Sequence, residues 1–325
     1  MAQPLLQIRD LKVEFDSSQG LVKAVNGLNL EVRQHEIVGL VGESGSGKTT
    51  TAHAVNRLIP SPPGRIVEGR IFFKGRDLTA VSDREIHAIR GREIAQIFQD
   101  PMTYLNPVMK VRAQLEEMIR AHMDLGGTRA LEYAVALLDK VRLPSPARIA
   151  ASYPHELSGG MRQRVLLAMA ISCNPSLIIA DEPTSALDAT TQLQILDLLK
   201  ESVTGFQSAL LLICHDLGVV AELCDRVYVI YCGRIVESGN VYLVFENPRH
   251  PYTRGLLQSA LSIAEPGKDL VPIEGALPNL QSLPPGCAFH PRCSARLDVC
   301  SHRLPEISRL ESDHQVSCWL FSKHE

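Results

Sequence analysis

The sequence predicts an α/β protein organised around one glycine-rich loop, and three observations predict it. Residues 42–49 read Gly-Glu-Ser-Gly-Ser-Gly-Lys-Thr, between the apolar run Ile37–Val41 and a run of helical character from Lys48 to Leu58. A glycine, four residues and then Gly-Lys-Thr, set between a buried strand and a helix, is the phosphate-cradling P-loop. Two more short apolar runs end in polar groups: Leu177–Ala180 runs into Asp181 and Glu182, and Ser208–Cys214 into His215. Residues 5–15 and 22–32 alternate apolar with polar, as half-buried antiparallel strands do, with a turn at Ser17–Gly20.

At 325 residues the chain is long enough for two or three structural units. Its 45% hydrophobic and 21% charged content is ordinary for a globular protein. A net charge of −3 leaves no basic footprint, so no nucleic-acid partner is expected. The longest uncharged apolar stretch, Ala209–Cys214, falls far short of a membrane span, and the N-terminus lacks a basic-then-apolar signal segment. The expectation is a cytosolic chain whose membrane role, if any, runs through partners.

The loop chemistry sets the residue types. Gly42, Gly45 and Gly47 let the backbone curl until its N–H groups point inward at an anion. The helix opening near Lys48 adds its positive dipole end. Lys48 reaches the β- and γ-phosphates of a nucleotide, and the Thr49 hydroxyl ligates Mg²⁺. The candidate nucleotide-binding residues are therefore Gly42, Glu43, Ser44, Gly45, Ser46, Gly47, Lys48, Thr49 and Thr50.

Phe15 closes the first strand, where it either stacks on a purine or fills the core. Pro60–Gly64 breaks the chain, residues 66–73 read as a strand, and a further strand from Ile94 ends at Gln99 before a proline. Gln99 is placed to hydrogen-bond a Mg²⁺-bound water near the γ-phosphate. Residues 111–143 read as helical, interrupted at Gly126-Gly127 and ended by Pro144-Ser-Pro146. Leu157-Ser-Gly-Gly-Met-Arg-Gln-Arg164 then opens a long apolar helix. A Ser-Gly-Gly turn at a helix N-terminus is a second anion site. One nucleotide does not need two, so Ser158, Gly159 and Gly160 are expected to close on a nucleotide held by another subunit, in a head-to-tail dimer. Paired carboxylates at a buried strand end are costly without a cation. Asp181 is expected to hold Mg²⁺, and Glu182 to activate the attacking water. Ser185–Asp188 forms a turn and helix cap, and His215 links γ-phosphate to Glu182.

These motifs, in this order, resemble the ATP-binding cassette (ABC) ATPases: Walker A at 42–49, the Q-loop Gln99, the signature at 157–161, Walker B at 177–182, the D-loop at 185–188 and the switch His215. Phe15 matches the family's adenine-stacking position. The resemblance implies a P-loop NTPase with a RecA-like core, an antiparallel β-subdomain, and a helical subdomain over about 100–170, all within 1–246, followed by a small extension over 247–325. Within the family, Asn247–Leu257, Ile97–Pro107 and a final cysteine cluster resemble the dipeptide/oligopeptide import ATPases, a subfamily that also serves nickel importers. That resemblance implies an ATPase peripheral to the cytoplasmic face of the inner membrane. It works beneath two permease subunits, beside a second related ATPase, and is fed by an extracytoplasmic solute-binding protein.

The chain has eight cysteines. Cys173, Cys214, Cys224 and Cys232 lie among apolar residues and are expected to be small buried hydrophobes. Cys287, Cys293, Cys300 and Cys318 are spaced C-x5-C-x6-C-x17-C, wider than ordinary zinc pairs. Four thiolates suit an iron–sulfur cluster. The resemblance implies [4Fe–4S], with zinc or free thiols as alternatives. His290 and His314 are alternative ligands, expected instead to be solvent-exposed. A proline-rich tail of little periodicity is expected to be loosely structured and to need such a staple. The function expected is ATP hydrolysis, with Mg²⁺, driving di- or oligopeptide import. The alternatives are import of nickel or another small solute, or a soluble ABC ATPase of DNA repair or translation. The last is disfavoured by the absence of a coiled-coil insertion between Lys48 and Ser158 and of a second cassette. A metal-responsive regulatory subunit is a further reading of the tail.

Overall fold

The computed structural model describes residues 3–185, 187–264, 272–311 and 313–322. It divides into two compact units: Met1–Ala80 with Leu212–Glu325, and Val81–Leu211.

The first unit opens with β1 (Leu6–Ser17) and β2 (Gly20–Val32), then β3 (Ile37–Val41), α1 (Lys48–Val55), β4 (Gly64–Phe73) and β5 (Arg76–Asp77). Strands β2-β1-β4-β5 form an antiparallel sheet. The alternation seen in the sequence buries one face of it: Leu6, Ile8, Leu11, Val13, Leu28, Leu30, Ile71 and Phe73. The register slips after Ile8, where Asp10 takes a left-handed φ of 47°. Asn29 stabilises that bulge, accepting from the Asp10 N–H at 3.0 Å and donating to its carboxylate at 2.9 Å. The strand β3 is buried at all five positions, as a fully covered parallel strand should be. Helix α1 stops at Val55, short of the Leu58 that its pattern suggests, because Arg57 turns left-handed at φ 50°.

The second unit runs through α2 (Asp83–Ile89), β6 (Ile94–Ile97), α3 (Pro101–Tyr104), α4 (Val111–His122), α5 (Gly127–Lys140), α6 (Pro146–Ala151), α7 (Gly159–Ile171), β7 (Leu177–Asp181) and α8 (Ala189–Phe206), reaching its boundary within β8 (Ala209–Ile213). A capping box of Ser82 and Glu85 starts α2. Strands β6 and β7 pair in parallel. The helical stretch breaks between His122 and Gly127, with Gly126 capping α5 and Gly127 opening it, a little earlier than the glycine pair alone suggests. Apolar stripes of α4 (Val111, Leu115, Ile119) and α5 (Ala130, Ala134, Leu137, Leu138) are buried where these helices meet. Tyr133 ties α5 to the end of α7, its hydroxyl donating to the Ser172 carbonyl at 2.7 Å.

Returning to the first unit, the chain forms α9 (Leu217–Leu223), β9 (Arg226–Tyr231), β10 (Arg234–Asn240), α10 (Val241–Glu246), α11 (Pro251–Ala264), β11 (Ser308–Glu311) and β12 (His314–Val316). Here the sheet order is β11-β12-β10-β9-β3, with β3 parallel to β9 and the other pairs antiparallel. Among the described residues, the tail is not the loose segment its composition suggests. The buried carboxylate of Glu237 accepts the N–H groups of Arg249 (2.7 Å) and His250 (2.8 Å), just ahead of α11, and meets His314 Nε2 at 2.8 Å. His314 is therefore buried and committed to a hydrogen-bond partner, which corrects the expectation of an exposed side chain. The Leu280 carbonyl accepts the N–H of Lys23, carrying the tail back to β2.

Candidate functional site

The loop after β3 has the curl that its glycines predict. Gly45 and Gly47 hold φ of 80° and 104°. A Cβ on Gly47 would lie 2.5 Å from the Ala24 carbonyl, and one on Gly42 would lie 2.3 Å from that of Ile230, so strands β2 and β9 leave no room for side chains. Gly47 caps α1, its carbonyl accepting from the N–H and hydroxyl of Thr51 at 3.0 and 2.8 Å. Lys48 is buried and its Nζ donates to the carbonyls of Gly42 (2.7 Å) and Glu43 (3.0 Å), which places the ammonium within the loop. Ser44, Gly45 and Thr49 are exposed, Thr50 is half-buried and Ser46 is buried.

Glu43 is held from the tail. Its N–H donates to the Tyr252 hydroxyl at 2.8 Å, and its carboxylate accepts both Arg292 Nη groups at 2.8 and 3.1 Å. Burial works against the charge of Arg292, but bonds to Glu43 and Tyr231 outweigh it and hold the guanidinium firmly protonated. The rings of Tyr231, Tyr252 and Phe289 pack round this group, with centroids 4.6–5.4 Å apart. In the same unit Phe15, half-buried, pairs with Gly64 across β1 and β4. His215 is exposed in the turn before α9, whose first N–H groups are capped by Asp216.

In the second unit Gln99 and Glu182 come together: the amide nitrogen of Gln99 donates to the Glu182 carboxylate at 2.7 Å. Glu182 sits at φ 45°, a left-handed conformation for a non-glycine residue, directly after buried Asp181. Ser158 caps α7, accepting from the Met161 N–H at 3.3 Å. Asp188 caps α8, accepting from the N–H and hydroxyl of Thr191 at 3.0 and 2.7 Å, and these bonds lower its carboxyl pKa. Between the two helix starts lies a cavity of about 450 Å³, lined by Ser158, Gly159, Gly160, Arg164, Asp188 and Gln194 among others. Ala186 of the expected D-loop turn lies outside the described residues.

The cysteines divide as the sequence suggests, and then depart from it. Cys214, Cys224 and Cys232 are buried and Cys173 is half-buried. Burial pushes the Cys287 and Cys318 thiols up to about 11 and raises that of Cys293, and the charges of neighbouring cysteines add to the push. Cysteine thiolates are a suitable soft donor set for iron or zinc. Even so, among the described residues no group of three or more His, Cys, Asp or Glu side chains is arranged to hold a metal ion. The structure thus does not assemble the expected [4Fe–4S] or zinc site from Cys287, Cys293, Cys300 and Cys318. The sulfurs sit as free, largely buried thiols, and the Cys300 Sγ is taken by the Leu297 N–H at 3.4 Å. Neither histidine joins them: His290 Nδ1 meets the Cys287 carbonyl at 2.9 Å, and His314 belongs to Glu237.

Sequence reasoning missed Arg292, Tyr252 and the Glu237–His314 pair, because each meets its partner across a long sequence separation. It also missed Gln114, a buried amide that holds the Asn106–Met109 loop through bonds to Asn106 and to the Met109 carbonyl. Val108 within that loop, and Met102 and Tyr104 just before it, are exposed large hydrophobic residues.

Residues 25–185 match the ABC transporter family, and residues 236–300 match the C-terminal region of oligopeptide/dipeptide transporters. The chain is 44% identical over 319 residues to a probable peptide ABC transporter ATP-binding protein of Sinorhizobium fredii, covering 98% of this chain and 95% of the relative. It is 45% identical over 317 residues to the oligopeptide transport ATP-binding protein OppD of Bacillus subtilis, covering 97% and 88%. Among solved structures, the ATP-binding cassette MJ0796, a dimer in a post-hydrolysis state bound to ADP and Pi, aligns with TM-score 0.66 at 26% identity over 73% of this chain and 98% of that one.

Proposed function

This chain belongs to the ABC transporter family as an ATP-binding protein, and from that membership we propose that it is the ATP-hydrolysing subunit of a membrane importer of di- and oligopeptides. The observation that carries the proposal is the agreement of chain-long similarity to peptide-transport ATP-binding proteins with a loop whose glycine contacts and buried Lys48 suit a nucleotide phosphate.

The roles are assigned residue by residue. The loop from Gly42 to Thr50 receives the phosphates on its inward-facing backbone N–H groups and on Lys48, apart from the N–H of Glu43, which Tyr252 takes, and that of Ser46, which the Glu43 carbonyl accepts. Phe15 stacks on the base. Buried Asp181 and exposed Thr49 are hard oxygen donors that fit Mg²⁺, with Gln99 as its further contact. That ion, when bound, neutralises phosphate charge. Glu182 is the general base, and its bond to Gln99 orients the carboxylate. His215 stabilises the transferred phosphoryl group. Ser158, Gly159 and Gly160 present the start of α7 and its adjoining cavity to the nucleotide of a second, related ATPase in a head-to-tail dimer. Arg164 on the cavity wall adds positive charge.

The division of labour follows the sequence: 1–246 as the nucleotide-binding domain with a helical subdomain over about 100–170, and 247–325 as the extension. Met102, Tyr104 and Val108 support contact with one of two permease subunits, through which an extracytoplasmic solute-binding protein delivers the peptide. No described helix is long and apolar enough to cross a membrane, in keeping with a peripheral subunit at the cytoplasmic face of the inner membrane. A metal-holding role for Cys287, Cys293, Cys300 and Cys318, [4Fe–4S] or zinc, rests on the resemblance of the tail to oligopeptide/dipeptide transporters alone, since the described residues form no such group. Anaerobically purified protein free of iron and zinc would rule that role out.

The decisive experiment has two arms. Glu182→Gln is expected to bind ATP normally while phosphate release falls about 100-fold or more; near-normal turnover would remove Glu182 as base. Capture of the tagged chain from native membranes is expected to bring two multi-span permeases and a second ATPase. Ribosomes or nucleic acid in their place would overturn the importer reading and leave the ATPase reading intact.

A further inference from the structure

The C-terminal tail reaches into the phosphate loop. Glu43, its second residue, is gripped twice: Tyr252 of α11 takes its N–H, and Arg292 takes both carboxylate oxygens. The Arg292 side chain is only 4% exposed. It is fixed in turn by donating Nε to the Glu274 carbonyl at 2.9 Å and Nη2 to that of Ile273 at 3.2 Å. The turn carrying it is closed by backbone bonds from His290 to Cys287 (2.9 Å), Arg292 to Phe289 (3.0 Å) and Cys293 to His290 (3.3 Å). A bidentate guanidinium with every contact satisfied is a rigid fixture.

The chemistry of the loop explains why such a fixture matters. A carboxylate in a polyanion-binding loop has the wrong sign, and its repulsion of a phosphate grows as water is excluded. Paired with Arg292, Glu43 presents no net charge. With its N–H given to Tyr252, it serves to anchor the loop. Resting on the nucleotide-binding reading above, we propose that Arg292 is a positioning residue for nucleotide binding: it cancels the Glu43 charge and pins the loop in its phosphate-receiving curl. The extension thereby sets the affinity of this chain for nucleoside triphosphate.

The test is equilibrium binding of a fluorescent ATP analogue, with steady-state hydrolysis, on the full chain and its Arg292→Ala, Glu43→Gln and doubly substituted forms. Arg292→Ala is expected to weaken binding about ten- to thirty-fold, with the loss in KM more than in kcat. Adding Glu43→Gln is expected to recover most of that loss, because the exposed charge is gone. Wild-type affinity in Arg292→Ala, or a double variant as weak as the single, would overturn the inference and leave nucleotide binding by the wild type standing. A wild-type chain that binds no nucleotide would overturn both. Should Arg292→Ala not fold, Arg292→Gln takes its place: it keeps a long polar side chain but loses the charge and the fork. It must weaken binding and be rescued by Glu43→Gln, or the inference fails.

Discussion

Glu182 and His250 show how single residues are set by their surroundings. Glu182 occupies left-handed backbone at the end of a buried strand, a conformation that costs about 1–3 kcal/mol and is tolerated where a side chain must be aimed. The sequence identified this residue through its pairing with Asp181, but neither its backbone strain nor its bond to Gln99 can be read from spacing. His250 was not singled out at all. Burial pushes its imidazole down to about 3, and its Nδ1 accepts the Tyr252 N–H at 3.0 Å, so the folded ring is neutral. An unfolded histidine takes its proton near pH 6.5. The unfolded chain therefore binds one more proton between that value and about 3, and stability falls as pH drops through this window. The expected slope from this residue is up to about 1.4 kcal/mol per pH unit. Urea melts at pH 7 and pH 5 should show a smaller acid loss in His250→Gln than in the wild type. Equal losses would mean that His250 does not carry the effect.

Among the elements, the strand–loop–helix unit of β3 and α1 was legible because its chemistry is local: glycine positions, a lysine and a buried run. Gly42→Ala is expected to cost about tenfold or more in nucleotide affinity, since the new methyl would meet the Ile230 carbonyl of β9 at 2.3 Å. A binding titration that matched the wild type would show that β9 can retreat. The helices α4 and α5 were legible from their periodicity, and their break from two glycines. The short strands β11 and β12 were not, because three or four residues carry too little alternation to register and their pairing with β10 is set by distant contacts. The metal centre expected of the tail is not assembled among the described residues for a related reason. Cysteine spacing reports which donors exist, whereas ligation depends on how the loops between them turn.

For the whole molecule, the strongest lesson is that the extension is built into the first unit. Glu237, 1% exposed, satisfies two N–H groups ahead of α11 and the ring of His314. Glu237→Ala would leave all three unpaired, the His250 N–H and the His314 ring fully buried, and is expected to cost about 3–5 kcal/mol of unfolding free energy in a denaturant titration. A loss below about 1 kcal/mol would mean that these groups find other partners. Pairing with β12 has a separate consequence. Strand β10 lies beside β12, which lies beside β11, so the last strand of that series is only four residues long, with a register shift between Arg309 and Glu311. A short, irregular margin is a poor template for a foreign strand, whereas a bare β10 of seven residues would be a good one. The extension thus doubles as an edge guard. A fragment ending at Glu246 would lose it and is expected to self-associate through the uncovered strand.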